Sequence, residues 1–118
     1  MSKKVGIVVS KAPYGSAVMG EAFRAAMGLP AVGIDTDVIL EGDAVFALVN
    51  DGTPFETLEF GNMKDAFMQF DEYGFNLFIH KPSVEARGLK CEQLAACSPL
   101  DDAQFKEMLR NYDVILRF

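Results

Sequence analysis

The run Lys4-Val-Gly-Ile-Val-Val-Ser10 constrains the fold more than any other part of the chain. Between its polar ends it is apolar and largely β-branched, without the alternation of a strand that has one wet face. Both faces must therefore be covered, as in a parallel sheet with helices on each side. The turn sequence Lys11-Ala-Pro-Tyr-Gly15 follows, and Ser16 is a good N-cap for a helix over 17–27. Val18, Ala22, Ala25 and Ala26 form the close-packing side of that helix, and Gly28 is expected to end it. A second strand is expected over 31–40 and a short helix over 44–49, before the loop cluster Asn50-Asp-Gly-Thr-Pro54.

The rest of the chain repeats the alternation. Asn62 caps an expected helix through Tyr73, with Met63, Ala66, Phe67 and Phe70 on one face and Gly74 as its stop. Phe75 to Ile79 reads as the third strand. Pro82 suits the first turn of a short helix closed by Gly88-Leu89. A short fourth strand is placed at 94–97. The last helix, capped by Asp101 or Ser98, runs to about Asn111 with Phe105, Met108, Leu109 and Tyr112 inward, and Asp113 to Phe118 form an edge or near-edge strand. No internal repeat, low-complexity tract or linker interrupts the 118 residues. The expectation is one α/β domain: a three-layer α/β/α sandwich, flavodoxin-like, on a mainly parallel sheet of about five strands.

Composition narrows the function classes. Half of the residues are hydrophobic, which excludes disorder, and no apolar run approaches the roughly 20 residues of a transmembrane helix. The basic start Met1-Ser-Lys-Lys4 precedes a stretch too short for a secretory signal, so a cytoplasmic protein is expected. A formal charge of −6, with no cationic cluster beyond Lys3-Lys4, argues against direct binding to nucleic acid. Two cysteines and one histidine make neither a disulfide framework nor a zinc site. Asp35, Asp37, Glu41 and Asp43 have no metal-ligand spacing and read as a solvated rim. No metal or cofactor is expected.

Three stretches together resemble one family. They are the opening strand with Lys11-Ala-Pro-Tyr-Gly-Ser16, the segment Ser83-Val-Glu-Ala-Arg-Gly-Leu89, and above all the terminus Asn111-Tyr-Asp-Val-Ile-Leu-Arg-Phe118. They resemble the DsrE/DsrF-like sulfur-relay proteins, closest to the TusC/DsrF branch. The resemblance implies a cytoplasmic heterohexamer with DsrE/TusD-like and DsrH/TusB-like subunits that passes persulfide sulfur. Such relays serve tRNA wobble-uridine thiolation or dissimilatory sulfur oxidation. In the DsrE/TusD branch the sulfur-carrying cysteine ends the strand before the short helix. Matching on Ala86-Arg-Gly-Leu89 puts His80 at that position, and Ser83 where some relatives have a second cysteine. Neither holds a persulfide, which fits a non-catalytic assembly subunit.

The candidate residues each carry a plain alternative. Sulfur relay needs a thiolate, and only Cys91 and Cys97 offer one; Cys91 reads otherwise as a surface cysteine and Cys97 as a small buried strand residue. His80, at a strand's carboxyl end beside Lys81, either faces a crevice, where it or Lys81 attracts a partner's persulfide, or simply hydrogen-bonds a neighbouring loop. Lys11, Tyr14 and Ser16 lie in a loop whose free amides suit an anion, although it lacks nucleotide-binding spacing. Ten phenylalanines and six methionines exceed a comfortable core, and Phe55, Leu58, Phe60 and Met68 fall off the inward stripes, as at a subunit interface. Two other readings stand beside the assembly subunit: a sulfurtransferase using Cys97 or Cys91 with His80 or Lys81 stabilising the thiolate, and a homo-oligomer binding a small anion or nucleotide.

Overall fold

The computed structural model describes residues 3–11, 18–48, 68–94 and 98–118. Among the described residues five strands form one sheet: β1 (Lys4–Val9), β2 (Asp35–Leu40), β3 (Asn76–His80), β4 (Pro99–Leu100) and β5 (Val114–Arg117), in the order β4-β3-β2-β1-β5. Every pairing is parallel. The helices are α1 (Val18–Ala31), α2 (Phe70–Tyr73), α3 (Lys81–Ala86) and α4 (Asp102–Asn111), with 3-10 turns at Gly42–Leu48 and Cys91–Gln93. Among the described residues no helix is long and apolar enough to cross a membrane.

The unalternated strand behaves as its composition requires. Val5, Ile7 and Val9 face one layer with Val38, Leu40, Leu77 and Ile79, under Ala22 and Ala26 of α1 and Val84 of α3. Val8 and Ile39 face the opposite layer, under Phe105 of α4, with Phe78, Met108, Leu109, Tyr112 and Ile115 packed around them. Three layers result. The alanines at 22 and 26, fully buried, let α1 lie close to the sheet.

Several boundaries differ from the sequence expectation for local reasons. Helix α1 passes through Gly28 and takes Pro30 into its last turn, so the second strand starts at Asp35 and not at 31. It ends instead at Gly33 (φ +86°), where the Gly33 amide donates to the Pro30 carbonyl and the Ile34 amide to that of Leu29. This is a Schellman close, and its left-handed position favours glycine. The short helix expected over 44–49 is the 3-10 turn Gly42–Leu48. Of the fourth strand expected over 94–97, Leu94 is buried and residues 95–97 lie outside the described residues; the strand described beside β3 is Pro99–Leu100. There Ile79 donates its amide to the Ser98 carbonyl, and proline is tolerated because the strand is an edge. The ends at Gly74 and Gly88 fall as expected, and Asp101 caps α4 in a reciprocal box with Gln104. Phe55, Leu58, Phe60 and the 62–67 part of the predicted helix lie outside the described residues, and Met68 is half-buried.

Asp37 departs furthest from its expected place. It is buried, not part of a solvated rim. The Tyr112 hydroxyl donates to its Oδ2 at 2.8 Å, Asn76 Nδ2 donates to Oδ1 at 2.8 Å, and Lys4 Nζ lies 3.6 Å away. Burial first, and the Asp37 carboxylate second, push the Tyr112 phenol above its ordinary value, so it remains a protonated donor. The Tyr112 ring lies on Gly6, where an added Cβ would stand 2.5 Å from two ring carbons. Only glycine leaves room for it. Replacing Gly6 by alanine is therefore expected to destabilise the fold by about 1–3 kcal/mol through overpacking. Urea unfolding of the single and double variants provides the check: with Tyr112→Ala already present, Gly6→Ala should cost markedly less.

Candidate functional site

The sheet order creates one place where neighbouring strands send their chains to opposite layers. After β3 the chain turns into α3, which packs with α1 in one layer; after the adjacent β4 it turns into α4 in the other. In open α/β sheets such a divergence at the carboxyl ends of strands leaves a crevice. His80 ends β3 at this point, paired in register with Leu100 of β4.

The imidazole is held from both layers. Its Nδ1 lies 2.7 Å from the Ser83 hydroxyl in α3, and its Nε2 lies 3.2 Å from Asp102 Oδ1 at the start of α4. Its ring centroid is 4.6 Å from that of Phe105, one turn further along α4. Strand alternation explains the second and third contacts, because His80 shares the face of Phe78 toward α4. The tight turn into α3 explains the first. The His80 side chain is 14% exposed and that of Asp102 54%, so the pair runs from a nearly covered ring to open solvent.

A second ring of contacts fixes Ser83. Its hydroxyl oxygen accepts the Gly42 amide at 2.9 Å. Arg87 donates through one terminal nitrogen to the Ser83 carbonyl at 3.1 Å and through Nε to Asp43 Oδ1 at 3.0 Å. On the other side Lys106 Nζ is 3.0 Å from Asp102 Oδ2. The Lys106 hydrogen bond, and after it that of His80, hold the Asp102 carboxyl below its usual value.

The sequence candidates divide clearly. His80 and Ser83 are brought together. Lys81 is exposed at the first position of α3, and Lys11 is exposed just after β1, two strands from β3. Cys91 is half-buried in the 3-10 turn between α3 and β4 and is disulfide-bonded, contrary to its reading as an exposed surface thiol. Tyr14, Ser16 and Cys97 lie outside the described residues. Among the described residues no group of His, Cys, Asp and Glu could hold a metal ion. Asp102, Arg87 and Gly42 were not singled out by sequence. The Asp102/Lys106 spacing is visible there as an ordinary helix pair, but only the β3–β4 adjacency brings it to His80.

Comparison with known proteins bears on this arrangement. Residues 3–118 match the model of the DsrE/DsrF-like family. The chain belongs to the DsrE/DsrF-like family. Its fold is similar to that of the ychN protein from E. coli, with a TM-score of 0.80, 24% identity and full coverage of both chains. It is also similar to MTH1491 from Methanobacterium thermoautotrophicum, a protein of unknown function, with a TM-score of 0.70, 10% identity and full coverage of both chains. BT1422 from Bacteroides thetaiotaomicron, also of unknown function, has a TM-score of 0.72 at 16% identity over 98% of this chain and 95% of that one. At these identities the likeness is one of fold. In this DsrE/DsrF-like chain the strand-end position before the short helix thus carries a caged imidazole.

The Asp102 contacts fix a pH response. Its carboxyl is depressed in the folded state, so the stability it contributes is present above the usual carboxylate range and is lost as pH falls through the folded value. Carbon-detected NMR titration of Asp102 should show a midpoint below that of a free aspartate. Lys106→Met should move the midpoint up more than His80→Gln does.

Proposed function

We propose that this chain is a non-catalytic assembly subunit of a cytoplasmic sulfur-relay complex, working beside DsrE/TusD-like and DsrH/TusB-like subunits. One observation carries the reading: His80 ends β3 pinned by Ser83 and Asp102, at the strand end where the resemblance to DsrE/TusD-like carriers implies a thiol. A relay step needs a thiolate as nucleophile and as carrier of the outer sulfur, and imidazole supplies neither. Family membership supports the pathway class, and the divergence of α3 and α4 into opposite layers at His80 supports a surface that borders a neighbour's sulfur site.

The rival sulfurtransferase reading is weakened by the disulfide at Cys91, which leaves no thiolate there in this state. The partner complex stays preferred over a homo-oligomer with an anion site at Lys11, because Lys11 lies two strands from the caged imidazole. In the assembly reading any link to tRNA runs through the partners, as the net charge of −6 favours.

Co-expression with DsrE-like and DsrH-like subunits should yield a complex that co-elutes in size-exclusion chromatography. After reduction and incubation with a persulfide donor, intact-mass spectrometry should find sulfur 32 Da heavier on the DsrE-like subunit and none on Cys91 or Cys97. A homogeneous monomer in the presence of those subunits, or a persulfide on either cysteine whose serine variant stops transfer, contradicts the proposal.

A further inference from the structure

The proposed function gives the disulfide at Cys91 no role, yet its place in the chain suggests one. Two cysteines occur in the sequence, Cys91 and Cys97, so within one chain Cys91 can bond only to Cys97. Cys97 lies outside the described residues, but the residue after it, Ser98, opens the segment that docks β4 on β3. There the Ile79 amide donates to the Ser98 carbonyl at 3.1 Å, and Pro99 and Leu100 pair with Ile79 and His80. A bond at Cys97 therefore acts one residue away from the edge pairing.

That pairing is slender. Strand β4 has two residues, and Pro99 has no amide hydrogen to give the ladder. Directly after it Asp101 caps α4, and Asp102 reaches His80 Nε2 at 3.2 Å. The other end of the tie is firm. As α3 closes, the Val84 carbonyl accepts the Leu89 amide at 3.1 Å and Leu89 packs on the core, and the Cys91 carbonyl then accepts the amide of buried Leu94 at 3.0 Å. Packing anchors the turn that holds Cys91, whatever its sulfur does. Beyond β4, Leu100 and Phe105 are buried, so opening the bond loosens the edge and leaves the core assembled.

We propose that Cys91 and Cys97 form a reversible redox clasp: as a disulfide they hold β4 and the first turn of α4 against β3 and His80, and as thiols they release that edge. Cys91 is half-buried and not sealed in the core, as exchange with a small thiol requires. The bond closes a ring of only seven residues, 91–97, so it constrains the unfolded chain less than a long-range bridge does. In the cytoplasmic setting proposed above such a bond is a regulated one, and the compartment is all that the clasp shares with the assembly reading. Its oxidant is a low-molecular-weight disulfide of the glutathione class. One cysteine thiolate attacks the reagent's S–S bond and expels a glutathione thiolate; the other cysteine, its proton lost to solvent, attacks the mixed disulfide and expels the second. Two protein thiols are oxidised and one glutathione disulfide is reduced to two glutathiones, and excess glutathione reverses both exchanges.

The full chain, equilibrated in glutathione buffers with reduced-to-oxidised ratios from about 1:1 to about 1000:1 and then alkylated, tests the clasp. Peptide mass mapping should find Cys91 joined to Cys97 at the oxidising end and both alkylated at the reducing end. The Ile79 amide, which donates to Ser98, reads the edge directly: by NMR hydrogen exchange it should exchange roughly tenfold faster in the dithiol form, while the amides of Ile7 and Val38 in the middle of the sheet keep their rates. His80 is the only histidine in the sequence, and its Nε2 resonance should move with the same midpoint. Cys91→Ser and Cys97→Ser should each show the fast Ile79 rate and the reduced-form resonance in every buffer. A bridge between two chains with none inside one, a pair that stays disulfide or dithiol across the whole range, or Ile79 protection that reduction leaves unchanged each overturn the proposal. So does loss of protection throughout the sheet when the wild-type chain is reduced, which would make the bond a structural staple. Partner subunits take no part in these measurements, so failure of the clasp and failure of the assembly reading are told apart.

Discussion

The ring of Tyr112 on Gly6 is the contact from which the order of the sheet follows. Strand β5 returns from the far side of the molecule, after α4 has crossed from β4 at the opposite edge, and it must find β1 in register. Tyr112 enforces that register at close range. Its ring needs the missing side chain of Gly6, and its hydroxyl reaches Asp37 on the next strand over. Beside it Asp113 brackets Lys4, donating its amide to the Lys4 carbonyl at 2.8 Å and accepting the Lys4 amide on its own carboxylate at 2.7 Å. A one-residue slip would lose all of these contacts and turn β5 over. The buried Asp37 charge is tolerable because three partners surround it.

With β5 locked on one side of β1, the remaining strands fill the other side in order, and the divergence between layers falls between β3 and β4. That is where His80 sits. The site is thus a consequence of topology: α3 delivers Ser83 from one layer, α4 delivers Asp102 and Phe105 from the other, and the strand end places the imidazole between them. Gly42, at the end of β2, completes the frame by donating to Ser83. Elements contiguous in space but scattered over sixty residues of sequence hold one ring.

Legibility followed the range of the interactions. The β-branched run at Val5–Val9 announced a strand covered on both faces because burial of that kind is written in adjacent residues. The capping pair Asp101/Gln104 and the stops at Gly74 and Gly88 are equally local. Gly28 misled because a glycine signals a stop only when the chain takes the left-handed turn, and here Gly33 takes it. The described edge pairing falls at Pro99–Leu100, where Ser98 meets Ile79, and no local pattern marks that register. Asp37 misled for a related reason. Its burial depends on Tyr112, seventy-five residues away, and nothing near Asp37 in sequence reveals the partner. His80 and Ser83 were each singled out through the family resemblance, but their contact with one another and with Asp102 was not legible.

The closing stretch that carries most of the family likeness and the residues around His80 lie toward opposite edges of the sheet. The closing stretch Asn111–Phe118 is rich in contacts that fix the fold: Tyr112 on Gly6, Asp113 on Lys4, and the Ser10 amide on the Phe118 carbonyl. Among the described residues, none of these contacts involves His80. A sequence can therefore keep every one of these fold-fixing contacts whatever side chain ends β3 before α3. Family resemblance carried by such a terminus is strong warrant for architecture and weak warrant for catalysis. In this chain the chemistry has to be read from the imidazole itself, which Ser83 and Asp102 hold between the two layers.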